Sequence, residues 1–253
     1  GKCIRCRTCD GFACKLGAKN DAEVRLVDPA IATGNVDLIL ETYVHRLITD
    51  DTGRKVVGVE VEQKGQKRTI NGEFFISSAG AINSAAMLLR SANAKHPKGL
   101  GNNSSDQLGR NYMAHNNTAM MAVNPFKKNN VVFQKSLCIN DFYLANGVKP
   151  YPLGNVQGLG KLQGGMLTAN MKGTPEWLMS WFAERSVDWW IMSEDLPDAE
   201  NRVSLDGDGK IRLSYTPNNL KSHRELVKHW TKLMRSLGYP IIITQKMDIK
   251  VAM

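Results

Sequence analysis

Residues 74–115 read FFISSAGAINSAAMLLRSANAKHPKGLGNNSSDQLGRNYMAH. Phe74–Ser78 has the composition of a strand, Ala79-Gly80-Ala81 is a turn of small residues, and Ile82, Ala85, Ala86, Leu88 and Leu89 mark one face of a helix. A strand, a small turn and a helix in this order let backbone N–H groups approach a phosphate or ribose, with little side chain to hold the ligand off. The glycine fingerprint G-x-G-x-x-G, which opens such a nucleotide-binding sheet, occurs nowhere in the 253 residues. The sequence therefore predicts one part of a nucleotide site and lacks another.

The rest of the chain supplies a context for that turn. Asn35–Thr49 reads as a strand, Asp50-Asp51-Thr52-Gly53 as a turn, Val56–Val61 as a second strand, and Thr69–Ser78 as a third after a turn at Lys64-Gly65-Gln66. Val44–Ser78 is thus expected to be a three-stranded meander that feeds the Ala79-Gly80 turn. Beyond Asn116 the character changes to short strands separated by Gly, Pro and Asn: 118–123, 131–133, 137–140, 155–161 and 187–193. A helix over 176–185 interrupts them. Residues 202–205 and 210–215 form a hairpin around Asp206-Gly207-Asp208-Gly209, and 222–237 is an amphipathic helix stopped by Gly238. Ile241–Val251 is a last apolar segment. The fold class expected is α/β plus α+β, with the boundary near Asn116.

Composition excludes several function classes. Lys and Arg number 33 against 24 Asp and Glu, a net charge of +9, but the basic residues are scattered and no aromatic–basic interleaving forms a stacking platform for nucleic acid. No run approaches the roughly 18 apolar residues of a membrane span. Gly1-Lys2-Cys3 lacks the apolar core of a signal peptide, and the first residue is not Met. Localisation, cytoplasmic or periplasmic, is left open.

Cys3, Cys6, Cys9 and Cys14 form a C-x2-C-x2-C-x4-C run. Thiolates so spaced can converge on one metal or cluster. An iron–sulfur cluster, a structural zinc, and loop thiols or a disulfide with no metal all remain open. A three-iron cluster needs only three of the four thiols. Asp206–Gly209 lacks the acidic positions of a calcium loop and is read as a hairpin turn. His115 is read as structural. Met120-Met121 and Trp189-Trp190 are read as core, and Arg202 as a surface partner of Glu194 or Asp195. Neither Ser84 nor Ser91 sits in the G-x-S-x-G of a hydrolase nucleophile.

Taken in order, several segments resemble the middle of a glucose–methanol–choline (GMC) oxidoreductase. They are Cys9-Asp10-Gly11-Phe12-Ala13-Cys14, Asp28-Pro29-Ala30, Gly34-Asn35-Val36, Tyr43-Val44, Gly53–Val59, Ser78–Ser84, Gly109-Arg110-Asn111-Tyr112-Met113-Ala114-His115 and Asn201–Asp206. The resemblance implies an FAD flavoprotein that oxidises the CH–OH group of an alcohol or sugar, with hydride passing to flavin N5. It implies a partial FAD-binding Rossmann-like domain with a β-meander over 1–116, joined to an antiparallel-sheet substrate domain over 117–253. Val44, Ser78, Ala79 and Gly80 match positions that hold the nucleotide end of FAD. None of His45, His96, His115, His223 and His229 matches the family's catalytic histidine, which is expected beyond Met253, so the chain reads as an internal fragment inactive alone. A cluster on the cysteine loop would favour a dehydrogenase that hands electrons to a carrier protein or quinone. A different flavoprotein dehydrogenase class, such as the succinate-dehydrogenase type, and a non-catalytic nucleotide-binding module on the same scaffold are the alternatives.

Overall fold

A computed structural model describes residues 1–6, 12–131, 135–144, 152–171 and 173–247. Along the chain, a π-helical turn at Glu23–Val27 leads into α1 (Asp28–Ala32), β1 (Thr42–Thr49), β2 (Val56–Gln63), β3 (Gln66–Asn71) and α2 (Gly80–Arg90). There follow β4 (His115–Val123), β5 (Cys138–Ile139), β6 (Asn155–Gly158), α3 (Gly164–Asn170), α4 (Glu176–Ala183) and β7 (Ser186–Glu194). The chain continues with β8 (Arg202–Leu205), β9 (Ile211–Ser214), α5 (Leu220–Ser236) and β10 (Ile241–Met247). The fold is mixed α and β, and every strand pair among the described residues is antiparallel.

The described residues group into two compact units. One takes residues 31–113 together with Leu196–Thr216. Its sheet is the meander β1-β2-β3, and the β8-β9 hairpin is separate. Two segments that carry the family resemblance meet here. The Val203 N–H donates to the Gly109 carbonyl at 2.8 Å, and the Tyr112 N–H to the Asn201 carbonyl at 2.8 Å. A Cβ on Gly109, at φ +80°, would stand 2.2 Å from the Val203 oxygen, so no other residue fits. Asn201 closes the hairpin, its Oδ1 accepting the Thr216 N–H at 2.7 Å. At the hairpin tip, Asp206 Oδ1 accepts the N–H groups of Asp208 and Lys210, each at 2.9 Å, and the turn read from sequence is present. Arg202 lies 3.9 Å from Asp106 rather than against Glu194 or Asp195.

The third strand differs from the expectation. It ends at Asn71, and Phe74–Ser78 forms no strand. Phe74 and Ile76 are 90% and 91% exposed, since no neighbouring strand among the described residues pairs with the segment. Alternation alone does not make a strand; the ladder of a partner does. The first strand is shorter for the same reason, with Val36, Leu38 and Leu40 exposed ahead of Thr42.

The other unit takes residues 1–30, 114–195 and those from Pro217 on. Its five-stranded sheet runs β10-β4-β7-β6-β5. The side chains of a strand alternate between faces, and here the even residues of β4 and the odd residues of β7 pack against α5. Met120, Ala122, Trp189 and Ile191 join Leu226, Trp230 and Met234 of the helix in one core. Trp189 and Trp230 meet edge to face with centroids 4.9 Å apart. Gly238, at φ +89°, ends the helix as expected.

Buried polar groups are built into this packing. His223 of α5 lies between the hydroxyls of Thr118, 2.8 Å from Nε2, and Ser193, 3.2 Å from Nδ1. Burial, with a smaller effect from Lys246, pushes its pKa down to about 4. Asp195 accepts the Ala114 N–H at 3.2 Å, the Asn116 amide at 2.9 Å and the Asn218 N–H at 3.2 Å, which ties the start of β4 to the approach to α5.

A histidine held below its unfolded pKa of about 6.5 costs stability as the pH falls from that value toward its folded pKa. For His223 the loss is on the order of 3 kcal/mol between pH 7 and pH 4. Denaturant unfolding of His223→Gln at the two pH values is expected to show a pH-dependent loss smaller by about that amount. An unchanged loss would place the acid sensitivity elsewhere.

Candidate functional site

Gly80 opens α2 at φ +80°, and nothing lies within 4 Å of where a Cβ would stand. No side chain caps the helix at Ala79, and no acidic residue occupies its first turn. The first N–H groups of the helix, at the positive end of its dipole, thus have no side-chain cap from Ala79. Ser78, Ala79 and Gly80 are all exposed. The helix is fixed at its other end. Ser91, buried, accepts the Leu47 N–H of β1 at 2.8 Å and donates to the Met87 carbonyl at 2.7 Å. Arg90 donates to the Gly209 carbonyl at 3.1 Å and lies 5.8 Å from the centre of the Tyr43 ring.

Val44 lies on β1, one of the two edge strands of the meander, and is 38% exposed. Val44 and the 78–80 turn therefore share one unit, and the side-chain contacts seen between α2 and β1 come from the last turn of the helix. None of the clefts described below is lined by either.

Of the cysteine run, Cys3, Cys6 and Cys14 are described and Cys9 lies outside the described residues. Cys14 Sγ accepts the Ala18 N–H at 3.4 Å; that bond first, and the Leu16 N–H second, hold its thiol below the ordinary range. Cys3 Sγ accepts the Arg5 N–H at 3.4 Å. Cys6 and Cys14 line one cavity of about 400 Å³. Among the described residues no three Cys, His, Asp or Glu side chains stand together as a metal site. The described thiols alone do not build an iron–sulfur or zinc centre.

Three further histidines have partners. His45 contacts Glu62 at 2.9 Å, His96 Nε2 contacts the Gly53 carbonyl at 2.8 Å, and His229 packs edge-on against Phe142.

The sheet face turned away from α5 is the feature that sequence reading missed. Register places Gln245, Ala119, Trp190 and Gln157 in one row across four strands, and Met247, Asn117, Met192 and Asn155 in the next. Trp190 Nε1 donates to Asn117 Oδ1 at 3.0 Å, which ties the indole to the neighbouring strand. One end of this face is roofed. Asp188 accepts the Leu162 N–H at 3.1 Å, and Lys161 Nζ donates to the carbonyls of Ala183 and Ser186. Burial pushes Asp188 up to about 6, against the opposing pull of the Leu162 N–H, the Ser186 hydroxyl and Lys161. At the other end Trp190 and Met192 are only half-buried, and Met247 remains 40% exposed. Trp189-Trp190 read as a single core pair, yet adjacent residues of a strand face opposite ways; Trp189 is core and Trp190 belongs to the open face.

Residues 2–117 match the family model described as GMC oxidoreductase. That segment, a little under half of the chain, is similar to GMC oxidoreductases. It is also 34% identical, over 104 residues, to the 6'''-hydroxyparomomycin C oxidase of Streptomyces lividus. That match covers 40% of this chain and 19% of the Streptomyces protein, so it spans about a fifth of its relative's length. The GMC segment contains the whole meander, the 78–80 turn and α2.

The hold of Ser91 on β1 is directly testable. Ser91→Ala leaves the Leu47 N–H buried without its acceptor, and is expected to cost about 1–3 kcal/mol in urea unfolding. No change would mean that α2 is not anchored through this bond.

Proposed function

We propose that these residues serve an FAD-dependent oxidoreductase that oxidises the CH–OH group of an alcohol or sugar. The observation that supports it best is the exposed, uncapped start of α2 at Gly80, inside the segment that matches the GMC family. The reading assigns residues 1–116 to a partial Rossmann-like FAD domain and 117–253 to the substrate domain. In it, Ser78, Ala79 and Gly80 present helix N–H groups to the nucleotide end of FAD, and Val44 offers backbone on the free edge of β1. The residues fit that role, because a Cβ at Gly80 would fill the space the ligand needs.

The open face of the five-stranded sheet is the substrate wall in this reading. Trp190, held by Asn117, gives a flat apolar platform, and the flanking amides of Asn155, Gln157 and Gln245 give hydrogen-bonding positions. Apolar area of this kind, left half-open beside polar groups, is the usual lining of a small-molecule site. FAD, when bound, supplies the hydride acceptor. The reading takes its pyrophosphate segment and its proton acceptor from outside these 253 residues. The terminal electron acceptor, whether oxygen, a quinone or a carrier protein, goes with the same proposal. The Streptomyces relative is named an oxidase.

The test uses the full-length polypeptide that contains these residues. It is expected to copurify with FAD, and an alcohol or sugar is expected to bleach the flavin without air. Readmitted oxygen restores the colour in an oxidase; only a dye or quinone restores it in a dehydrogenase. Gly80→Val is expected to weaken FAD binding about tenfold or more, one factor of ten being 1.4 kcal/mol. Trp190→Ala is expected to raise KM while FAD content stays intact. A protein that binds no flavin when its Gly80 is native would overturn the proposal.

A further inference from the structure

The turn that follows β4 displays a phenylalanine. In Asn124-Pro125-Phe126-Lys127 the Lys127 N–H donates to the Asn124 carbonyl at 3.3 Å, and the Phe126 N–H to Asn124 Oδ1 at 3.0 Å. Pro125 presets the backbone of the second position. The turn is pinned from both sides. Asn124 donates through its N–H to the Arg185 carbonyl at 3.1 Å, and through Nδ2 to the Gly238 carbonyl at 2.9 Å. Asn129 donates through its N–H to the Glu184 carbonyl and through Nδ2 to the Ser186 carbonyl, each at 2.7 Å. Phe126, at the tip, is 95% exposed, and the pinned backbone holds it outward.

A second aromatic stands on the helix to which that loop is tied. Trp177, in the first turn of α4, is 72% exposed. Residues four and seven positions on, Trp181 and Glu184, share its helix face, and seven residues of helix span about 10 Å. Lys128 Nζ meets Glu184 Oε2 at 2.7 Å at the far end of that face. The Arg185 guanidinium lies 4.7 Å from the centre of the Trp181 ring. Lys127, Lys128 and Arg185 share the wall of one cavity of about 730 Å³. Lys127 is exposed and makes no ion pair among the described residues. The acidic groups of α4 are Glu184, already engaged by Lys128, and Glu176. Two outward aromatic side chains thus flank a group of cations.

We propose that this surface, Phe126 and Trp177 with Lys127, Lys128 and Arg185, docks the protein on an anionic lipid bilayer. A projecting phenylalanine needs a matching hollow in a protein partner, whereas mobile lipid chains part to admit it. Aromatic side chains settle at the boundary between headgroups and chains, and lysine stems let the ammonium groups stay at headgroup level. The charge fits the same occupant, since acidic headgroups attract lysine and arginine within about a Debye length of the surface. No helix among the described residues is long and apolar enough to cross a membrane, and the contact proposed is peripheral. The inference stands apart from the flavin reading and uses none of its residues.

The experiment sediments the full-length polypeptide with vesicles of phosphatidylcholine alone, and with vesicles that mix it equally with phosphatidylglycerol. Binding is expected on the anionic vesicles, about tenfold or more weaker on the neutral ones, and weakened by high salt. Phe126→Ser and Lys127→Glu are each expected to weaken it about tenfold or more, with the thermal melt unchanged because both side chains are exposed. Phospholipids brominated in their chains are expected to quench tryptophan fluorescence, and less so in Trp177→Phe. No binding to anionic vesicles, equal binding to both kinds, or binding that Phe126→Ser leaves intact would overturn the proposal. Capture by poly-L-glutamate that Lys127→Glu abolishes, with Phe126→Ser harmless, would overturn it in favour of an acidic protein partner.

Discussion

The packing of α5 on one side of the five-stranded sheet decides what the other side can be. Leu226, Trp230 and Met234 of the helix engage Met120, Ala122, Trp189 and Ile191. A strand has a side-chain period of two, so once these residues are buried, Asn117, Ala119, Trp190 and Met192 must turn the opposite way. A one-residue slip would put Trp190 in the core and Trp189 outside. His223, in contact with both Thr118 and Ser193, resists that slip, because those hydroxyls face it only in the observed register. The open face is therefore a consequence of a well-packed one.

A similar dependence operates in the other unit. The free start of α2 matters only if the helix is held, and Ser91 and Arg90 hold it from its far end. Gly80 combines a positive φ with empty space around the missing Cβ. Gly109 is a glycine for a different reason, since the Val203 carbonyl occupies the place of its Cβ. One glycine faces open space and the other admits a strand, and the sequence alone does not tell them apart.

Local signals were legible where the physics is local. The meander, the Asp206–Gly209 turn, α5 and its Gly238 stop all follow from turn chemistry and periodicity. Phe74–Ser78 failed as a strand because strand formation needs a partner, and partners are not written in the segment itself. The Ser78–Gly80 turn could be read from small residues in order, and Val44 only through family resemblance. The open face could not be read, since it depends on which of two adjacent tryptophans meets a helix some forty residues later.

Hydrogen–deuterium exchange on the full-length protein, with and without its flavin, tests the central claim most directly. If the start of α2 holds the nucleotide end of the flavin, flavin should slow exchange at 80–84 and leave α5 untouched. Protection confined to α5, or no change at 80–84, would contradict the account.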